Sequence, residues 1–175
     1  MLSLSQTSGS AVLALSCLVD QEQWVLSTAI SQRTGIPGPF LSQILFKLRG
    51  AGLIQAKRGY RGGFRLLRPG KSVSILEIIE TIDGVDFLGG CMLGREVCSD
   101  QRACPTHEFW KAEKVRIRSC LSRISLADVA KFEAARGVLA AGGKKFQFRS
   151  EAASPSPTKR RNGRPRSKRR KRATK

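Results

Sequence analysis

Apolar residues crowd the segment 11–19, where Val12, Leu13, Leu15, Leu18 and Val19 recur with the density of a buried helix and enclose Cys17. A shorter helix is predicted over Ser27–Thr34, with Ser27 at its N-cap and Ala29 and Ile30 inward. Thr34-Gly35-Ile36-Pro37 is a turn, because Gly35 stops the helix and Pro37 cannot continue it. A third helix starts near Pro39 and repeats Leu41, Ile44, Leu45 and Leu48 at the i, i+3, i+4, i+7 spacing of one buried face.

Beyond Gly50 the period changes. Leu53–Ala56 and Phe64–Leu67 read as two short strands around the basic, glycine-rich turn 57–63, which makes a hairpin. Ser74 and Glu77 are spaced as a capping box in front of a helix through Ile82. A longer helix is predicted over Phe109–Ile124, with Trp110, Val115, Ile117, Leu121 and Ile124 on or near one side. Ser125 and Asp128 form a second capping-box pair, opening a short helix through Phe132. The fold class is therefore mainly α with a small β-hairpin, in winged helix-turn-helix order, plus a long helix. The expected organisation is a DNA-binding domain over 1–82, a cysteine-rich loop over 83–107, a dimerisation helix region over 108–141 and a disordered basic tail over 142–175.

Charge adds a partner. The 175 residues carry a net charge of +19. Residues 151–175 hold 11 Lys/Arg against one acid, and the first 150 hold 21 against 12. Tail and body are each basic, which points to a polyanion, nucleic acid above all. A solubilising charge bias is the plainer alternative for the body. The tail has no apolar face to lay on a membrane, no apolar run reaches the length of a membrane span, and no export signal is read at the start. A cytoplasmic, nucleoid-associated protein is expected.

The outward face of the third helix offers Ser42, Gln43, Lys47 and Arg49, side chains able to pair with base edges or phosphates in a major groove. Its start near Pro39 and Phe40 leaves backbone N–H groups for a phosphate. Ser27 and Thr28, at the start of the preceding helix, complete the helical set. Arg58, Tyr60 and Arg61 sit at the glycine-flanked hairpin tip, where the backbone can approach a groove. In the tail, Gly163-Arg164-Pro165-Arg166 lies between basic runs and resembles the AT-hook, whose extended core enters the narrow minor groove of A·T-rich DNA, with Arg164 and Arg166 as contacts. A generic polybasic arm held by counterion release is the alternative.

Cys91, Cys98, Cys104 and His107 follow the pattern C-x6-C-x5-C-x2-H, and His107 is the sole histidine. Thiolates and an imidazole suit an iron–sulfur cluster or zinc. Spacing does not separate these, although zinc sites usually carry tighter cysteine pairs, and a metal-free thiol sensor is a third option. His107 is equally readable as a plain helix-start residue. Cys17 and Cys120 lie among apolar helical residues and read as core. An enzyme finds no support: no phosphate-binding glycine loop and no paired carboxylates stand in a suitable site.

Taken in this order, helix-turn-helix, wing and cysteine loop resemble the Rrf-two family of bacterial regulators, the IscR/NsrR group, over roughly residues 4–135. The residues carrying the resemblance are Ser-Ala-Val-Leu-Ala-Leu at 10–15, the segment 40–54, Arg-Gly-Tyr-Arg-Gly-Gly-Phe-Arg-Leu at 58–66 and the cysteine loop leading into His107-Glu108-Phe109-Trp110. The resemblance implies a homodimer with crossing 109–124 helices on a pseudo-palindromic double-stranded DNA operator. It implies a [2Fe-2S] cluster, or alternatively [4Fe-4S], on the three cysteines, with His107 at the position of the fourth ligand of IscR-like members. The chain departs from the pattern in its first cysteine gap, six residues where IscR-like members have five, and in Thr7, Gly9 and Ser10, which replace basic and aromatic residues. The resulting expectation is a cluster-gated repressor. The alternatives are an architectural DNA-binding protein acting through the tail and a metal-free or zinc thiol regulator.

Overall fold

The computed structural model describes residues 4–94 and 98–137, with Arg102 described by its backbone alone. Among these residues it has six helices, α1 (Gln6–Ser16), α2 (Ser27–Thr34), α3 (Gly38–Gly50), α4 (Ile75–Asp83), α5 (His107–Arg123) and α6 (Leu126–Ala135). One antiparallel hairpin, β1 (Ile54–Lys57) and β2 (Gly63–Leu66), follows α3, paired from Ile54 opposite Leu66 to Lys57 opposite Gly63. The AT-hook-like residues Arg164 and Arg166 lie outside the described residues.

Helix α1 begins at Gln6, ahead of the apolar run that marks it in sequence. Its polar first turn is held by tertiary contacts that periodicity does not reveal. Ser5 caps the N–H of Ser8, and the Ser5 and Ser8 hydroxyls both donate to the Asp83 carboxylate at 2.8 Å. Ser8 and Ser10 are buried, with Ser10 turned back onto the Gln6 carbonyl. The α1 start is thus fastened to the end of α4.

The core follows the sequence pattern closely. Leu41, Ile44, Leu45 and Leu48 of α3 are buried against Leu15 and Leu18 from the α1 segment, Ile30 of α2, and Ile78 and Ile79 of α4. Each such aliphatic side chain contributes about 1.5–3 kcal/mol by leaving water. Helix α6 packs on α1 through Leu126, Ala127 and Ala130. Reciprocal bonds between α4 and α6, Ile75 N–H to Ile124 carbonyl and Leu126 N–H to Val73 carbonyl, bring the chain after α5 back into the same core.

Local signals differ in two places and hold in a third. Leu26, not Ser27, is the N-cap of α2, and no side chain caps that end. At α4 only half of the capping box forms: Ser74 accepts the Glu77 N–H, while the Glu77 carboxylate pairs with Arg68 instead. The Ser125–Asp128 box at α6 is complete.

The hairpin is anchored at its base. Val25 bonds Phe64 in both directions, at 3.0 and 2.8 Å, as an isolated antiparallel bridge to β2. A Cβ on Gly63 would lie 2.5 Å from the Val25 carbonyl oxygen, so only glycine permits this approach.

Candidate functional site

The outward arc of α3 is set by its buried stripe. With 3.6 residues per turn, Pro39, Ser42, Gln43, Phe46 and Arg49 fall opposite Leu41, Ile44, Leu45 and Leu48, and all five are exposed. Phe40 differs from its companions: it is half-buried and packed on the core. Lys47 lies on the flank, its ammonium 3.5 Å from the Ile82 carbonyl near the end of α4. Ser42 donates its hydroxyl to the Gly38 carbonyl and keeps its lone pairs outward. Phe46, absent from the polar set expected from sequence, is 72% exposed and carries the Arg49 guanidinium over its ring at 5.9 Å.

Neither α2 nor α3 has a side-chain cap at its N-terminus. Their first N–H groups are open to an anion, with Thr28 exposed and Ser27 half-buried beside one of them. At the hairpin tip Arg58, Tyr60 and Arg61 are all exposed. Arg61 has a left-handed φ of 56° and stacks its guanidinium 5.5 Å from the Tyr60 ring centre. Backbone and ring hold the tip's cation outward.

The loop between α4 and α5 brings two of the four sequence-predicted donors into contact, and among the described residues the three cysteines and His107 do not converge as one donor group. Cys98 Sγ lies 3.2 Å from His107 Nδ1. Cys104 Sγ lies 3.3 Å from the Thr106 hydroxyl. The Cys104 thiol is held below its ordinary pKa by the hydroxyl and backbone bonds of Thr106, with the Cys91 contact adding to them. All three cysteines are partly exposed and reduced.

His107 is 4% exposed at the first turn of α5. Its Nε2 stands 2.8 Å from Asp100, which also binds the Lys111 ammonium at 2.9 Å. Those bonds, that of Lys111 first, hold the Asp100 carboxyl below the usual range. In the neutral ring an ionised Asp100 requires the proton on Nε2, which leaves the Nδ1 lone pair facing Cys98. Glu108 brings a further carboxylate to the same corner. A cavity of about 150 Å³ lined by Cys98, Asp100, His107, Lys111 and Lys114 opens this pair to small reactants.

The loop is tied to both neighbours. Trp110 Nε1 donates to the Gly90 carbonyl at 2.8 Å. Arg118 of α5 pairs with Glu80 of α4 and donates to the Val85 carbonyl at 2.9 Å. The cysteines outside the loop separate in character. Cys17 is buried, and burial pushes its thiol pKa to about 11. Cys120, expected in the core, is exposed instead, on the flank of the side of α5 that carries Trp110, Ile117 and Leu121. The side opposite Trp110 shows Ala112, Val115, Ser119 and Arg123 to solvent.

Residues 4–131 match the Rrf2 family, described as an iron-dependent transcriptional regulator. The chain belongs to the Rrf2 family. It is 35% identical over 114 residues to the HTH-type transcriptional regulator IscR of Xenorhabdus nematophila, covering 65% of this chain and 69% of that one. Its fold is similar to that of T. potens IscR, with a TM-score of 0.60 and 28% identity over 75% of this chain and 88% of that one. It is also similar in fold to CymR, the global cysteine regulator of B. subtilis, with a TM-score of 0.62 and 22% identity over 75% of this chain and 98% of that one. The Rrf2 assignment and these winged-helix neighbours agree with the fold class read from sequence, and with a transcriptional regulator rather than an enzyme. Within the described residues no helix is long and apolar enough to cross a membrane.

Proposed function

We propose that this Rrf2 protein is a homodimeric DNA-binding repressor whose operator affinity is set by an iron–sulfur cluster on Cys91, Cys98, Cys104 and His107. The observation that carries the reading is the contact of Cys98 with His107 Nδ1 at 3.2 Å, in the loop that also holds Cys91 and Cys104. Three thiolates and one imidazole supply the four protein ligands that a [2Fe-2S] cluster requires, two to each iron, with [4Fe-4S] the alternative. His107 fits a metal ligand further because Asp100 occupies its other nitrogen, the usual support of a ligating imidazole. Bound there, the cluster would supply a cross-link sensitive to redox state and ligand exchange.

The rest of the device is the chain's own. Cys104 and His107 flank the start of α5, and the Trp110–Gly90 bond and the Arg118–Glu80 pair join α5 to the loop and to α4. Loosening the loop releases the angle between α5 and the winged helix. The outer side of α5, with Ala112, Val115 and Ser119, lets a second copy approach closely, so that angle sets the spacing of two α3 helices on a pseudo-palindromic operator. Ser42, Gln43 and Arg49 address base edges. Ser27, Thr28, Pro39 and the first N–H groups of α2 and α3 address phosphates, and Arg58, Tyr60 and Arg61 address the adjoining groove. Lys47 reaches a phosphate by leaving the Ile82 carbonyl, and Phe40 steadies the start of α3. Arg164 and Arg166 add an A·T-rich minor-groove contact from the tail, in the cytoplasm at the nucleoid.

Anaerobic purification with iron and sulfide assays and a visible spectrum tests the cluster. Iron and sulfide in equal amounts with charge-transfer absorption is the expected result, and a colourless, iron-free preparation overturns it. Deleting 151–175 tests the tail's share: loss of all sequence-specific binding would favour the architectural alternative.

A second reading rests on the Cys91–Cys104 contact. A peroxide would take two electrons and two protons from the two thiols, forming their disulfide and two waters, with no metal. A mass loss of two protons on peroxide treatment of iron-free protein, reversed by a thiol reductant and accompanied by changed DNA affinity, supports this reading.

A further inference from the structure

On α3 the side chain nearest the middle of the outward arc is apolar. Phe46 lies one turn after Ser42 and Gln43 and one turn before Arg49 and Gly50, with 72% of its surface in water. A phenylalanine so exposed gains nothing from the fold, since the buried stripe of α3 is complete without it. Gly50, next to it on the same arc, has nothing within 4 Å of the position a Cβ would take. Glycine there serves no packing need and leaves the approach to the ring unobstructed. The flanking charge is positive: the Arg49 guanidinium lies 5.9 Å from the ring centre. A basic, uncovered rim around one apolar group is complementary to a polyanion that presents an apolar group inside its groove. The 5-methyl of thymine is the apolar feature of a major groove.

We propose that Phe46 is a specificity-determining residue, which reads a thymine by packing its ring on the 5-methyl group while Arg49 engages the adjoining phosphate or guanine. This inference rests on the reading of α3 as the groove-entering helix and names what the centre of that helix recognises. Ser42 and Gln43 supply hydrogen-bond readout on the preceding turn, and Phe46 adds an apolar position to the half-site.

The test uses the full-length chain. Wild type and Phe46→Ala are each used to enrich binding sequences from a random duplex library, and affinities for the wild-type winner are measured by fluorescence anisotropy. Each dT of a half-site is then replaced singly by dU, which removes only the methyl. One replacement should weaken wild type about fourfold per half-site, the effect of one buried methyl, and leave Phe46→Ala unaffected. The variant's enriched sequences should lose their preference for thymine at that position. Because Phe46 is exposed, its removal leaves the fold intact, which an unchanged circular dichroism spectrum and urea midpoint verify. An enriched sequence with no methyl dependence, or a Phe46→Ala protein that still distinguishes dT from dU, overturns the contact alone. Failure to enrich any sequence with wild type overturns the reading of α3 and this inference together.

Discussion

The Nδ1 of His107 faces the Cys98 sulfur at 3.2 Å, while the other face of the same ring is held by Asp100. The carboxylate therefore decides which nitrogen is available to the cysteine site. Asp100→Ala frees the ring to change tautomer and to turn. Loss of such a supporting partner commonly lowers metal affinity by about 10–100-fold. The expected outcome is faster loss of iron to a chelator, followed anaerobically by the visible spectrum, with a larger effect for His107→Ala. Unchanged iron retention in both variants would make His107 a structural residue of the α5 start and leave the cysteines to act alone.

Asp83 joins two helix ends. It accepts from both Ser5 and Ser8, and Ser8 is fully buried. Asp83→Ala leaves the Ser8 hydroxyl without its acceptor, at about 1–3 kcal/mol. A lower urea midpoint with an unchanged slope is expected, together with faster amide exchange confined to the first turn of α1. Ser8→Ala, which removes the buried hydroxyl itself, should destabilise less than Asp83→Ala.

The α3 stripe and the hairpin were legible in the sequence because their spacing has one interpretation and their turn residues are specific: Gly35 ends α2 in a left-handed conformation at φ 75°. The start of α1 was not, because Gln6, Thr7 and Ser8 carry no apolar period and owe their helix to Asp83, 75 residues from Ser8. Cys120 was misassigned because sequence showed apolar neighbours but not which side of α5 meets α4. Spacing picks out the four candidate donors of the loop. Cys98 beside His107, and Asp100 behind it, depend on loop conformation, which no periodicity encodes. Phe46 was overlooked because an apolar residue off the buried stripe looks like helix filler until its exposure is seen.

The α6 capping box gives stability a defined acid dependence. Bonds from the Ser125 hydroxyl first, and its N–H second, hold the Asp128 carboxyl below its ordinary pKa. A carboxyl depressed in the folded state stabilises above the unfolded value, and that stabilisation is lost as pH falls through the folded one. The difference in urea midpoint between wild type and Asp128→Ala should therefore be full at pH 7 and shrink once pH drops below about 4. A difference independent of pH would show that the substitution acts through something other than the carboxylate's charge, since the residue-128 N–H bond to Ser125 is kept in the variant.

Arg61 sets stability against function at the hairpin tip. Its φ of 56° is left-handed, a region that costs a non-glycine residue about 1–2 kcal/mol. The fold offers nothing visible in return beyond the stack on Tyr60, itself 89% exposed. Arg61→Gly removes the strain and the cation together. Thermal stability should stay level or rise. Operator binding should weaken, and the slope of log affinity against log salt should become shallower by about one for each phosphate that Arg61 no longer neutralises. Arg61→Lys keeps the charge and the strain but loses the planar stack, so its salt slope should match wild type. If Arg61→Gly binds DNA as tightly as wild type with the same salt dependence, the hairpin tip does not touch the duplex, and the strain must be explained by the fold alone.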